Sequence, residues 1–129
     1  MPPLLPFDTQ LRQVATEVAG AVSARLVVLF GSVARAEVAP RDLDIGVLVD
    51  GPADAVALTN AFTTRLGIQH VDVADLRRAD PVLLALVARD GVPLYERAPG
   101  EFARFASLAT RRFADTEKFR RAQERLRPA

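Results

Sequence analysis

One segment in the first half of the chain limits the possible folds most strongly, because it combines two apolar strands with a turn and a pair of acids. Leu26–Phe30 is an unbroken apolar run typical of a buried strand, and Gly31 ends it. Ile45–Val49 is a second such run. Asp42 and Asp44 lie just before it, and residues two apart in an extended chain point to the same side. We therefore expect both carboxylates to project together from the start of a core strand.

A pair of neighbouring carboxylates needs a compensating positive charge. Like charges held side by side repel each other, and burying them is costly unless something offsets the charge. Hard divalent cations such as Mg²⁺ take carboxylate oxygens as ligands and leave positions open for phosphate oxygens. Asp42 and Asp44 therefore predict a metal-ion site.

The turn after the first strand has the features of an anion-binding site. Gly31 lets the backbone approach a ligand closely, and Ser32 lies near the start of a predicted short helix, whose free N–H groups and dipole attract anions. Arg35, one turn further on, can bind a phosphate through its forked guanidinium. An anion site and a metal site at adjacent strand ends together suit a metal–nucleoside triphosphate complex.

The order of these motifs resembles that of a known enzyme family. The string Gly-Ser-Val-Ala-Arg at residues 31–35, followed by the pair Asp42 and Asp44, is similar to the signature of the minimal nucleotidyltransferases (MNT) of the polymerase-β-like superfamily. That signature ends with a third acid on a later strand, and residues 26–96 follow the same order of elements. The resemblance implies an α+β fold with a mixed sheet, namely a polymerase-β-like nucleotidyltransferase core with a long C-terminal helix.

The resemblance also implies the ligands and the residues that bind them. It implies ATP as the substrate and two Mg²⁺ ions that bridge the triphosphate to the protein. The residues concerned are Asp42, Asp44 and Asp72 for the metal ions and catalysis, and Gly31, Ser32 and Arg35 for the phosphates.

The third acid is open to two interpretations from the residues themselves. Gln69–Val73 alternates in polarity like a short strand, with His70 and Asp72 on one side. If this strand pairs with the second strand, Asp72 faces the acid pair and completes the site; otherwise it is a solvent-facing acid on a half-exposed strand. Asp75 competes for the role, but its place past the predicted strand end favours a helix-initiating residue. His70, the single histidine, is interpreted as a surface residue outside the site.

The rest of the chain is predicted to form helices around these strands. Helices are predicted from Asp8 or Thr9 to about Ala24, over Ala53–Leu66, over Val82–Arg89 and over about Glu101–Leu126, with a last strand at Val92–Tyr95. The stripes expected to face the sheet are Leu11, Val14, Val18 and Val22 in the first helix, and Ala55, Leu58 and Phe62 in the second. A strand–helix–strand unit implies a crossover connection and a mixed or parallel sheet. We expect residues 1–98 to form the nucleotidyltransferase core and 99–129 a helix that packs on it and binds a partner.

Composition excludes several classes of protein. The chain has no cysteine, which excludes a disulfide framework, a thiolate metal site and a cysteine nucleophile. No apolar run approaches the roughly 20 residues of a membrane-spanning helix. Met1–Phe7 contains no basic residue and so does not resemble a secretory signal. We therefore expect a soluble cytoplasmic protein.

The charge is divided unevenly along the chain. Residues 1–96 carry 8 basic and 12 acidic side chains, a net charge of −4, whereas 97–129 carry 9 basic and 4 acidic ones, a net charge of +5. In the final helix Phe113 and Phe119 lie among arginines, which suits a protein–protein contact. A solvated helix face is the alternative. The acidic body argues against a nucleic acid as the partner.

Together with the resemblance, these features predict a Mg-dependent transfer of AMP from ATP to a hydroxyl group. Small members of the family are typically antitoxins paired with an all-helical HEPN ribonuclease toxin, which implies AMP transfer to a tyrosine of that toxin. One alternative is an antitoxin that neutralises the toxin by binding alone. The other is an adenylyltransferase for a small molecule such as an aminoglycoside, which normally requires an additional substrate-binding domain.

Overall fold

The chain folds around a mixed β-sheet. A computed structural model describes residues 8–31 and 42–126, in which the elements follow in the order α1 (Asp8–Val22), β1 (Ala24–Phe30), β2 (Asp42–Val49), α2 (Ala55–Leu66), β3 (His70–Asp75), α3 (Pro81–Asp90), β4 (Val92–Glu96) and α4 (Glu101–Leu126). The strand order across the sheet is β3-β2-β1-β4. β1 is antiparallel to β2 and β4, whereas β3 is parallel to β2. This mixed sheet confirms the predicted fold class and the crossover between the second and third strands.

The pleat of the central strands divides the core into two layers. Leu43 and Ile45 of β2 are buried in a cluster with side chains of α1 and α2. On the other face of the sheet, Leu26 and Val28 of β1 are buried in a cluster with side chains of α3 and α4. Because helices cover both faces, β1 is apolar without a break from Leu26 to Phe30 instead of alternating in polarity.

Two helices begin and end at residues that the sequence marks as caps. The Asp54 carboxylate accepts a hydrogen bond of 3.1 Å from the backbone N–H of Ala57, and Gly67 ends α2 in the left-handed conformation. The Asp80 carboxylate accepts a hydrogen bond of 3.0 Å from the backbone N–H of Leu83 and caps α3. Aspartate at a helix start and glycine at a helix end are the residue types that these cap positions favour.

Other predicted boundaries were wrong by a few residues. Ala24, predicted to end the first helix, instead begins β1, because Ser23 adopts a left-handed conformation with a φ of 56° that terminates α1. Val22 was expected to pack on the sheet but is 41% exposed. Ala55 is also exposed, since it is the first residue of α2 and the chain enters the helix from the surface.

α4 packs on the body along its first half only. Ala109 is buried, and the rings of Phe102 and Phe105, whose centroids are 6.2 Å apart, pack on the second core cluster. Further along the helix Phe119 is 63% exposed and Leu126 is 84% exposed. The body therefore buries apolar side chains of α4 only along the first half of the helix. Neither α4 nor any other helix in 8–31 and 42–126 is long and apolar enough to cross a membrane.

Ion pairs hold the start of α4 to the sheet. Glu101 is the one charged residue of the described segments that is buried, with 6% exposure. Its Oε2 lies 3.2 Å from Nη2 of Arg25 in β1, and its Oε1 lies 3.3 Å from Nη2 of Arg104. Arg25 also lies 3.5 Å from the Asp50 carboxylate at the end of β2. A carboxylate in the first turn of a helix is further favoured by the helix dipole.

Candidate active site

Three aspartates lie together at the beginning of two adjoining strands. The parallel register of β2 and β3 pairs Asp42 with His70 and Asp44 with Asp72. Paired residues of neighbouring strands are about 4.8 Å apart in the hydrogen-bonding direction and point to the same side of the sheet. Asp44 and Asp72 are therefore direct neighbours, with Asp42 one step along β2. The structure thus brings together the three acids that were predicted to form the site.

The side of the sheet that carries these acids follows from the pleat. Leu43 and Ile45 point toward α1 and α2, so Asp42 and Asp44 point to the opposite side, on which α3 and α4 pack. Asp42 and Asp72 are exposed, and Asp44 is half-buried between them. The acids therefore form a solvent-accessible cluster in which the central carboxylate is the most enclosed.

Within residues 8–31 and 42–126, no basic side chain forms an ion pair with these three carboxylates. The pKa of the Asp44 carboxyl is raised above its ordinary value, chiefly by burial and then by the negative charges of Asp72 and Asp42. The carboxylates of β2 and β3 thus repel one another electrostatically. A bound divalent cation would remove this repulsion.

The donor atoms of the cluster fit a hard cation. All three side chains offer carboxylate oxygens, the preferred ligands of Mg²⁺. In residues 8–31 and 42–126, no group of three or more His, Asp or Glu side chains is already arranged to hold one metal ion. The exposed carboxylates of Asp42 and Asp72 retain the freedom to rotate toward an ion shared with Asp44.

Gly31 brings the turn after β1 into contact with the acid cluster. β1 pairs Phe30 with Asp44, so the next residue of the turn lies against the Asp44 side chain. Gly31 has a φ of 79°, in the left-handed region, and a Cβ atom placed on it would overlap Oδ2 of Asp44. Only glycine meets both demands without strain. The predicted phosphate-binding turn and the predicted metal site therefore adjoin at this residue.

Gly31→Ala is expected to disturb both the turn and Asp44. The left-handed conformation costs an alanine about 1–2 kcal/mol, and the overlap displaces the Asp44 carboxylate in addition. Unfolding monitored by circular dichroism should show a melting temperature lowered by roughly 4–8 °C. The matched control is Gly51→Ala, whose added Cβ meets nothing within 4 Å. Equal melting temperatures for the two variants would contradict the close approach.

Asp44→Asn is expected to stabilise the metal-free protein at neutral pH. Because the pKa of Asp44 is raised on folding, its ionisation costs stability, and that cost grows as the pH rises from the unfolded value of 3.8 through the folded value. The amide cannot ionise, so the variant should melt higher than the unsubstituted protein in EDTA at pH 7. The difference should vanish at a pH well below 3.8, where the carboxyl is neutral in both states. Asp115→Asn, at an exposed position on α4, serves as the control.

β3 continues further than the sequence predicts, and the role assigned to Asp75 was wrong. Asp75 is the last residue of β3, opposite Val47, and its carboxylate accepts a hydrogen bond of 2.9 Å from the backbone N–H of Arg77. It shapes the turn after the strand, whereas Asp80 initiates the helix. Asp75 lies three residues from Asp72 and so points to the other side of the sheet. It is therefore not part of the acid cluster.

His70 is exposed, as the sequence suggested, and lies beside the cluster. It is the register partner of Asp42, and both line a polar cleft of about 310 Å³ with Asp72 and the threonines Thr59 and Thr63 of α2. The alternation that places His70 on the same side as Asp72 was the available signal. No pattern in the sequence indicates Thr59 and Thr63, because only the packing of α2 beside β3 brings them to this cleft. Two other predicted site residues, Ser32 and Arg35, lie outside the described residues.

The fold and the clustered carboxylates together are those of a nucleotidyltransferase. Residues 13–100 match the family described as "Polymerase beta, Nucleotidyltransferase". Because this match spans more than half of the chain, the protein belongs to that nucleotidyltransferase family. No protein of curated function has a significant match to the sequence.

Several solved structures share the fold of this chain. A crystal structure of a toxin–antitoxin with AMP-PNP matches with a TM-score of 0.76 and 24% identity, covering 86% of this chain and 93% of that chain. A structure of the tri-AMPylated Shewanella oneidensis HEPN toxin in complex with MNT antitoxin matches with a TM-score of 0.74 and 23% identity, covering 89% and 93%. A crystal structure of the toxin–antitoxin MntA–HepT matches with a TM-score of 0.72 and 24% identity, covering 88% and 93%. At these identities the likeness establishes a common fold.

Proposed function

We propose that this protein is an adenylyltransferase that moves AMP from ATP to a hydroxyl group of a HEPN-family toxin and thereby acts as the antitoxin. The observation that carries the proposal is the register of β2 and β3, which places Asp72 beside Asp44 and next to Asp42 in a chain of the nucleotidyltransferase family. The likeness to structures that contain AMP-PNP or an AMPylated HEPN toxin supports this substrate and this partner. Because ATP is the donor, we place the activity in the cytoplasm.

The proposed chemistry is an in-line transfer at the α-phosphate of ATP. The oxygen of the acceptor hydroxyl forms a bond to the α-phosphorus while the bond from that phosphorus to the bridging oxygen of the β-phosphate breaks, and pyrophosphate leaves. The exposed Asp72 carboxylate accepts the proton of the hydroxyl. Two bound Mg²⁺ ions would supply charge neutralisation and polarisation of the phosphates.

The remaining roles are divided between the acids and the turn. Asp42, Asp44 and Asp72 would hold the metal ions, and Gly31 would keep the turn close enough for its backbone to meet the phosphates. Ser32 and Arg35 are proposed to bind the phosphates from the segment that follows. Such positioning and charge stabilisation account for most of the catalysis in phosphoryl transfer.

We also propose that the helix segment 99–129 contacts the partner that presents the hydroxyl, which we take to be a tyrosine. Phe119 is exposed on α4, and the Arg120 guanidinium lies 5.8 Å from the centre of the Phe113 ring. Exposed aromatic and arginine side chains together are typical of protein interfaces. The cognate toxin would in this way be brought within reach of a small catalytic body.

The test is the intact mass of the cognate HEPN toxin after incubation with this protein, ATP and Mg²⁺. A gain of whole AMP units is expected with the unsubstituted protein and not with Asp42→Asn/Asp44→Asn. A stable complex without any mass gain would overturn the enzymatic proposal and leave neutralisation by binding. Transfer to an aminoglycoside but not to the toxin would replace the proposed acceptor with a small molecule.

A further inference from the structure

A second concave surface lies at the opposite end of the sheet from the aspartates. It is a groove of about 250 Å³ between the sheet, α3 and α4. Its apolar lining comes from all of these elements and consists of Leu48, Leu76, Leu84, Phe105, Leu108 and Ala109. Leu48 is four residues from Asp44 along β2, a separation of about 13 Å at 3.3 Å per residue. The groove is therefore separate from the candidate active site.

The groove carries positive charge that the body does not neutralise. Arg25, Arg77, Arg104 and Arg112 line it, and Glu101 is the one acid in its lining. The Glu101 carboxylate is already shared by Arg25 and Arg104. Arg77 and Arg112 are exposed and have no acidic partner within the described residues. Two free guanidinium groups thus flank an apolar floor from different elements, namely the turn after β3 and α4.

We propose that this groove binds an acidic amphipathic segment of a partner protein. An apolar side chain of that segment enters the groove, and carboxylates on either side of it pair with Arg77 and Arg112. The forked guanidinium of arginine is suited to a bidentate pair with a carboxylate. A volume of about 250 Å³ is smaller than the roughly 300–1,000 Å³ of sites that enclose drug-sized ligands, and suits an inserted side chain better.

The surroundings of the groove favour a protein over a nucleic acid. Leu108 on its rim is exposed, and Phe119 and Leu126 follow it along α4. These residues lie 11 and 18 positions after Leu108, which is close to three and five full turns, so they share one side of the helix. An exposed apolar stripe that continues from a charged rim is typical of protein interfaces. A duplex would instead require a track of cations for successive phosphates.

The test uses the cognate HEPN toxin as the probe, and in this choice it rests on the proposed function. Its affinity for this protein is measured by calorimetry for the unsubstituted chain and for Arg77→Glu/Arg112→Glu. The matched control is Arg78→Glu/Arg111→Glu, which makes the same charge change at adjacent exposed positions outside the groove. We expect the groove variant to bind at least about tenfold more weakly, and the control to bind nearly as well as the unsubstituted chain. Raising the salt concentration should reduce the difference.

Three outcomes would overturn the groove as a partner site. Equal loss in both variants would reveal a general charge effect, and equal retention would place the toxin elsewhere on the surface. Binding of labelled duplex DNA that only the groove variant loses would assign the groove to nucleic acid. The AMP transfer assay is read separately. Transfer that persists while the groove variant binds normally overturns this inference alone, whereas groove-dependent binding without transfer overturns only the proposed activity.

Leu108→Asp provides a second variant that should remain folded, because this side chain is already exposed. It places a negative charge at the rim and removes an apolar contact without touching either arginine. We expect weaker toxin binding with an unchanged melting temperature. Unchanged binding would contradict the proposed apolar contact.

Discussion

Asp44→Asn is expected to slow AMP transfer by about 10²–10³-fold, equivalent to roughly 3–4 kcal/mol of transition-state stabilisation. Asp44 is the central member of the acid cluster, since it is the register partner of Asp72, lies two residues from Asp42 and occupies the space that a Cβ atom on Gly31 would need. An amide of the same size retains the packing but loses the charge that a divalent cation requires. The same change is expected to raise stability in EDTA, because it removes a charge whose burial, and then its repulsion by Asp72 and Asp42, raises the pKa of Asp44.

Asp44→Asn is expected to lower the rate of AMP transfer and to raise the melting temperature, so the experiment distinguishes loss of a metal ligand from misfolding. The rate is measured in single turnover with excess enzyme, by intact mass of the cognate toxin in ATP and Mg²⁺, and the melting temperature is measured on the same protein preparations in EDTA. Loss of transfer together with a higher melting temperature is the expected pair of results, because functional clusters of like charge reduce stability. A lower melting temperature with lost transfer would point to misfolding, and full activity would remove Asp44 from the site. Asp115→Asn should leave both quantities unchanged.

Asp72→Asn is expected to slow transfer by a similar factor, about 10²-fold or more. Its carboxylate lies beside Asp44 on the accessible side of the sheet, where it can hold a metal ion and accept the proton of the attacking hydroxyl. If Asp72 is instead a solvent-facing acid without a role, the substitution changes the rate by less than about twofold. The register of β3 favours the first result.

Asp75→Asn is the matched control for this prediction. It makes the same chemical change on the same strand, but on the other side of the pleat, where the carboxylate supports a turn. We expect Asp75→Asn to retain transfer and to lose little stability, because the amide oxygen can still accept the hydrogen bond from the backbone N–H of Arg77, although without the negative charge that strengthens it. If Asp75→Asn abolished transfer and Asp72→Asn did not, Asp75 would replace Asp72 as the third acid of the site. A rate profile from pH 5 to 9 for Asp72→Asn would then separate proton transfer from metal binding.

Much of the fold and of the candidate site could be read from local features of the chain. The acid pair precedes an apolar run, and strand alternation alone puts Asp42 and Asp44 on one side. α4 covers Glu101–Leu126, as its periodicity predicts, because a turn at Pro99 and Gly100 separates it from the preceding strand. Caps such as Asp80 depend on hydrogen bonds between residues three apart, so they too are visible in the sequence.

Features that depend on contacts between distant residues required the folded molecule. Asp72 and Asp75 are two acids of one strand, and the register with β2 shows that Asp72 is the one that lies beside Asp44. That register is set by the apolar residues that β3 buries against the helices, and a slip of one residue would exchange the two sides. The contact of Gly31 with Asp44 likewise arises from strand pairing.

The groove lined by Arg77 and Arg112 likewise depends on contacts between residues that are distant in the sequence. Along the chain Arg77 and Arg112 are two among many arginines and stand 35 positions apart. Packing of α4 across the sheet places them on either side of one apolar floor, while Glu101 neutralises their neighbours. The chain thus specifies its strands, caps and acid pair through interactions within a few residues. The third acid of the cluster and the charged groove arise from strand register and helix packing, because these are selected by burial of the whole core and not by any local segment.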